Sequence, residues 1–343
     1  MIKATIVSLK GLKKRQMSGF FGLVLGLCML LICLVCSVML GVAEIPIDRI
    51  LSSFIVFDGS YDRLIIQTVR LPRSLIAILV GSALAVSGAL MQGLTRNPLA
   101  DPGILGIESG AAVAVVVATF IFGSASPDVY TIVAFLGAGT TAILVYFLGS
   151  LGRGGATPLN LTVAGAALTA LISSVTTATL IVSQRTLEEI RFWLAGSLAG
   201  RDMDMFFQAL PFVLIGLIVA FALGRQITTM SLGEDVAKGL GQQTAWVKIM
   251  TAISVVLLAG SSVALAGPIG FIGLVVPHIV RFYIKADYRW ILPHCAVLGA
   301  ILLLVADIGA RVLLKPQELP VGVMTALVGA PFFVYLAKSK VKK

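Results

Sequence analysis

Apolar residues occupy this chain in ten blocks separated by short polar breaks, near residues 20–42, 74–94, 109–124, 129–149, 160–183, 205–223, 245–266, 268–284, 291–314 and 319–337. A helix rising 1.5 Å per residue needs about twenty apolar residues to cross a hydrocarbon layer about 30 Å thick. The pattern therefore predicts an all-α polytopic membrane protein of about ten transmembrane helices, forming one transmembrane domain over residues 1–343. The breaks leave no room for a folded soluble domain. The seventh and eighth blocks adjoin at Gly267-Pro268, inside a stretch from Gly260 to Val276 that otherwise reads as one apolar piece with glycines and a proline in it. A nine-span reading differs only there.

Composition agrees with the pattern. Hydrophobic residues make up 58% of the 343 residues and charged residues 12%, against roughly 45–50% and about 25% in soluble domains. Mean hydropathy is +1.02. The block after Lys10, Lys13, Lys14 and Arg15 is too long for the 7–15-residue apolar core of a cleavable signal, so it is read as the first span. Cys28, Cys33, Cys36 and Cys295 all fall in blocks. Cys33 and Cys36 have the spacing of half a zinc site without a partner pair, and read as apolar filler; no metal is expected.

Charge sets the orientation. With the N-terminus in the cytoplasm and ten spans, 17 Lys/Arg and 5 Asp/Glu lie inside and 9 Lys/Arg and 11 Asp/Glu outside, which sums to the net charge of +10. That is the bias of the positive-inside rule, and it makes both termini cytoplasmic. Basicity thus reports topology and gives no reason to invoke nucleic acid. It also sends Arg70 and Arg73 outward and the Asn97–Pro102 turn inward. A short resemblance between Gly81–Gly88 and Gly260–Gly267, four of eight positions identical in sequence, fits an inverted repeat of about five spans. The need for close helix packing explains the same small residues.

Ionisable groups are scarce within the blocks. Away from the edges only His278, His294, Asp307 and Arg311 are found there, too few for the carboxylate or histidine relay that a proton-driven carrier uses. The chain also has no G-x-x-x-x-G-K-[ST] phosphate loop, so a pump built on it takes its energy from a partner. On the inner side, Ser231-Leu232-Gly233-Glu234 has capping-box spacing and Gly239 and Gly241 follow as helix stops, predicting an ordered loop. On the outer side, Arg70, Arg73 and Arg311 form a candidate receptor for an acidic surface, since arginine pairs with carboxylates in bidentate fashion. Local pairing of Arg311 with Asp307, one turn earlier, competes with that reading. Leu187–Leu198 alternates apolar and charged residues as a short amphipathic helix on the outer surface would.

Arg70-Leu-Pro-Arg73, Ser87-Gly-Ala-Leu-Met-Gln92, Asn97-Pro-Leu-Ala-Asp-Pro-Gly103, Gly267-Pro-Ile-Gly-Phe-Ile-Gly-Leu-Val-Val-Pro-His278 and Glu318-Leu-Pro-Val-Gly322 together resemble the FecCD-type permeases of bacterial ABC importers. The resemblance runs from about residue 20 to 337. It implies a transport subunit rather than an enzyme, in the bacterial cell membrane. Its partners would be a second permease, identical or related, two cytoplasmic ATPase subunits that hold ATP and Mg, and an extracytoplasmic substrate-binding protein. No cofactor is expected on this chain. The cargo implied is an iron(III)-siderophore, with haem or cobalamin as alternatives; a proton-coupled secondary carrier is the competing class. The resemblance gives Arg70, Arg73 and Arg311 a docking role toward glutamates of the binding protein. It makes Ser231, Leu232, Gly233, Glu234, Asp235, Gly239 and Gly241 the ATPase coupling loop, and Asn97, Leu99 and Thr157 the cytoplasmic gate. The fifth span, about 159–182, would line the central path.

Overall fold

The computed structural model describes residues 2–41, 61–123, 126–151, 157–284 and 286–341, with residues 2–18, 61–62, 127–128, 335–337 and 339–341 described by backbone alone. In chain order the helices are α1 (Ile2–Met39), α2 (Leu71–Thr95), α3 (Ile107–Phe122), α4 (Pro127–Ser150), α5 (Pro158–Val182), α6 (Gln184–Leu194), α7 (Met203–Ala222), α8 (Gly224–Ser231), α9 (Glu234–Gly239), α10 (Thr244–Ala266), α11 (Ile272–Tyr283), α12 (Tyr288–Val312) and α13 (Val321–Val341). Helix α2 is entered without a break through Tyr61–Leu64 and a wide π-helical turn, Ile65–Arg70. Among the described residues ten helices are apolar enough to lie in a membrane, seven of spanning length and three shorter: α3, α11 and the apolar part of α13. The ten blocks of the sequence are thus ten helices.

The contacts between loops agree with the orientation. The turn after α6 meets both the break before α11 and the start of α13: the Ser197 N–H donates to the Ala266 carbonyl at 2.7 Å, and the Gly322 N–H to that of Gly196 at 3.0 Å. At the opposite end, the Tyr288 N–H donates to Thr228 Oγ1 at 2.9 Å, joining α8 to α12. The first group gathers loops that the charge count assigns to the outside, and the second loops that it assigns to the inside. Helix α6 lies on the outer side with Thr186, Ile190 and Trp193 buried; it ends at Leu194, four residues short of the sequence expectation.

The core is built on α2. Nineteen of its 25 residues are buried, and α12, α10, α11 and α7 pack around it. Small residues allow the approach. A methyl group added to Gly88 would lie 2.1 Å from the Gly273 carbonyl oxygen, so the backbones of α2 and α11 touch with no side chain between them, as small residues permit between membrane helices. The two related octamers play different parts: Gly88 is such a contact, whereas Gly267 takes a left-handed φ of 73° and ends α10.

The shortness of α3 and α11 has a physical cause. The chain after α2 does not stay at the inner surface. The Ile104 carbonyl lies against Gly165 of α5, and Ser109 Oγ is 3.3 Å from Thr169 Oγ1, eleven residues into α5 and therefore roughly 16 Å up by helical rise. Helix α3 starts at that depth. Helix α11, about 18 Å long by the same rise, starts at mid-depth from the other side, after the non-helical stretch 267–271. Irregular backbone at membrane depth is tolerated only inside protein or beside a cavity. Both conditions hold here, since Asp101 and Glu108 share a small cavity with Leu84, Ala259, Val263 and Gly273. The third and eighth apolar helices are therefore both preceded by irregular backbone packed inside the protein.

Candidate functional site

The outer arginines are brought together, as expected, but they point inward. Helix α1 ends at Met39 and leaves its last carbonyls without helical partners. Arg70 Nη1 donates to the carbonyls of Val38 at 2.9 Å and Met39 at 2.8 Å. Arg311 Nη1 donates to those of Ser37 at 3.0 Å and Leu40 at 2.9 Å, and its Nη2 to Ser37 Oγ at 2.7 Å. Two guanidinium groups thus cap the negative end of one helix, where cations are favoured. Arg73 instead meets carboxylates: Nε to Asp307 Oδ1 at 2.9 Å and Nη1 to Glu318 Oε2 at 2.6 Å. Asp307 also faces Arg311 Nη2 at 3.0 Å, so the local pairing weighed from the sequence is present. Arg70, Arg73 and Arg311 are 4%, 6% and 2% exposed and Asp307 is 0% exposed. Only the Glu318 side chain, 32% exposed, reaches the surface. All three arginines expected to dock a binding protein are thus engaged with groups of this chain.

The segment 231–241, expected to be the coupling loop, is ordered, though not by a capping box. Ser231 is the last residue of α8, and its Oγ donates back to the Thr228 carbonyl at 2.7 Å. Helix α9 begins after Gly233, which caps it without a side chain at φ 132°. Glu234 turns away from the helix start to Lys248, 2.9 Å from both carboxylate oxygens, and to Lys238 at 3.2 Å. The hydrogen bond from Lys248 holds its carboxyl below the usual glutamate range. The stop signal is Gly241, not Gly239: at φ 80° its N–H donates to Lys238, and the Gln242 N–H to Ala237, a Schellman closure. Asp235 and Gly239 lie within α9. Leu232, Val236 and Leu240, at four-residue spacing, are 64%, 47% and 69% exposed. That makes an apolar stripe on the cytoplasmic side.

Thr95, Arg96, Pro158, Leu161, Glu234 and Lys248 are among the residues lining one cleft, and the expected gate residues Asn97, Leu99 and Thr157 adjoin them in the chain. Asn97 Oδ1 accepts from the Leu99 N–H at 3.0 Å, and Leu99 is 43% exposed. Thr157 caps α5, its hydroxyl accepting from the Asn160 N–H at 3.2 Å. The ends of α2 and α5 therefore meet the coupling segment around one cleft. Helix α5 itself is little buried, with Ser173, Ser174 and Thr177 exposed.

Sequence reasoning missed the buried carboxylates. It assigned Asp101 to an inner turn, whereas Asp101 and Glu108 face a cavity beside Leu84 and Gly273. Asp101 Oδ1 accepts from the Gly103 N–H at 2.9 Å, and Glu108 sits in the first turn of α3. Asp101 caps the single 3-10 turn Pro102–Leu105. The available signal was the shortness of the apolar block after Gly106.

Comparison with known proteins gives these features a context. The chain matches the FecCD transport family over residues 29–339. It is 48% identical over 96% of its length to the probable siderophore transport system permease protein YfiZ of Bacillus subtilis, covering 99% of that protein. It is 40% identical to the ferric enterobactin transport system permease protein FepD of Escherichia coli, over 92% of this chain and 94% of that one. Among solved structures, an inward-facing metal-chelate type ABC transporter superposes with a TM-score of 0.81 at 30% identity, over 93% of this chain and 99% of that one. With a family match spanning nearly all its helices and relatives aligned almost end to end, this chain is a multi-pass membrane protein that belongs to the FecCD transport family.

Proposed function

We propose that this protein is the permease subunit of a binding-protein-dependent ABC importer in the bacterial cell membrane, carrying an iron(III)-siderophore inward. The observation that carries the reading is the exposed stripe Leu232, Val236 and Leu240 on the ordered cytoplasmic segment. An apolar face of that kind on a rigid short helix calls for a groove in a partner, and this chain has no phosphate loop of its own. The partner is an ATPase pair that binds ATP and Mg; the exposed hydroxyl-bearing face of α5 supports a second permease across a shared path. Binding-protein docking belongs at the edge of the arginine cluster, where Arg73 meets Glu318, while Arg70 and Arg311 hold that edge by anchoring α1. Asn97, Leu99 and Thr157 close the inner end. ATP binding changes transport only through different affinities of the partners for the two gate states.

The test is uptake of labelled chelates into cells or proteoliposomes carrying the complete importer. Ferric siderophore should enter with an intact ATPase and stop with one unable to hydrolyse ATP. Uptake that persists at full rate without hydrolysis, or that follows the proton gradient while ATP is high, would refute the reading. Uptake of haem or cobalamin in preference to siderophore would keep the transport class and replace the cargo.

A further inference from the structure

A set of polar contacts links α8, just before the coupling segment, to the end of α2, just before the gate residues. The Tyr288 N–H, at the start of α12, donates to Thr228 Oγ1 in α8, three residues before Ser231. The Tyr288 hydroxyl accepts from Arg281 Nη2 at 2.8 Å, and Arg281 Nη1 donates to Gln92 Oε1 at 2.6 Å. Gln92 Nε2 completes the set on the Gly273 carbonyl at 3.0 Å. Gln92 stands five residues before Asn97 on the same stretch of chain. One guanidinium therefore ties the inner ends of α2, α11 and α12 together.

The packing around it is tight. Gln92 and Tyr288 are 3% and 4% exposed, and a methyl group on Gly93 would lie 2.5 Å from Ile227 and 2.8 Å from Tyr288. Helix α8 thus bears directly on the end of α2. A displacement of the coupling segment is met there by contact and by hydrogen bonds to a charged group, which are stronger than neutral ones. Cores of this density shift between discrete arrangements rather than deform.

We infer that Gln92, Arg281 and Tyr288 are positioning residues for transport, which make the gate at Asn97–Leu99 follow the coupling segment. This rests on the reading of 231–241 as the ATPase contact. A path of contacts acquires that status only from measured coupling, so the experiment reads cargo moved per ATP hydrolysed. It uses the complete importer in proteoliposomes, with ferric siderophore as cargo. Gln92→Leu and Arg281→Met should lower that ratio roughly tenfold, the effect of losing a hydrogen bond to a charged group. The double variant should be no worse than the poorer single one, and Arg281→Lys should restore part of the loss.

A purely architectural role predicts the opposite pattern: thermal stability and yield fall while the ratio stays at the wild-type value, and that overturns the inference. Tyr288→Phe removes one oxygen and folds even where the larger changes do not. An unchanged ratio in this variant overturns the inference as well, and a reduced one supports it. Leu240→Asp is the separate control for the underlying reading, since undiminished co-purification of the ATPase with it refutes the coupling-segment assignment whatever the relay variants do.

Discussion

Asp307→Asn tests whether the outer arginines are architectural. Asp307 is wholly buried between two guanidinium groups, Arg73 at 2.8 Å and Arg311 at 3.0 Å. The variant keeps the shape and one acceptor oxygen but removes the only negative charge between them. Arg73 retains Glu318, and Arg311 retains the α1 carbonyls. Breaking a buried pair by removing one partner costs about 3–5 kcal/mol, and the retained acceptor puts the expected loss at the low end, about 3 kcal/mol. Arg311→Met leaves Asp307 paired with Arg73 but loses three hydrogen bonds to the α1 end, each about 1.5–3 kcal/mol for a charged donor. Glu318→Gln touches a pair that is a third exposed on one side, worth at most about 1 kcal/mol. The predicted order of destabilisation is therefore Arg311→Met, then Asp307→Asn, then Glu318→Gln. Thermal unfolding of the detergent-solubilised protein, followed by the fraction remaining monodisperse, measures it. Equal stability of the Asp307 and Glu318 variants would refute the ledger of buried charge. Full stability of Arg311→Met together with lost transport would refute its role as a cap and restore it as a docking residue.

Gly88→Val should abolish assembly of the fold, because the added atoms collide with the Gly273 backbone. Gly239→Ala should be neutral or slightly stabilising, since open space surrounds it at the end of α9; yield and melting temperature distinguish the two. The Glu234 carboxyl, held below its ordinary range chiefly by Lys248, stabilises the coupling segment fully above the ordinary glutamate value of about 4.3. That contribution is lost as pH falls through the lower folded value. Amide protection over residues 231–243, relative to the intrinsic exchange rate at each pH, should fall only at acid pH, and Glu234→Gln should remove the dependence; equal protection profiles for the two proteins would contradict it.

The sequence by itself determined ten apolar helices and the absence of a nucleotide loop, and its charges assigned an orientation. Each follows from a one-dimensional quantity: block length against bilayer thickness, the distribution of Lys and Arg, and the presence of a local motif. It also located the ordered inner segment, although of the local signals read there only the Gly241 stop is the one the structure uses. Tertiary structure decided what faces what. Arg70, Arg73 and Arg311 look like surface receptors in sequence, and whether a guanidinium points to solvent or to Ser37, Val38 and Asp307 depends on residues over thirty to more than two hundred positions away. Ser231-Leu-Gly-Glu234 has the spacing of a capping box, but the stronger pull of Lys248 takes the carboxylate. The Asp101 turn reads as an inner loop, yet its carboxylate lines a small interior cavity beside Leu84 of α2 and Gly273 of α11. Gln92, Arg281 and Tyr288 carry no pattern at all until folding brings three helix ends onto one guanidinium.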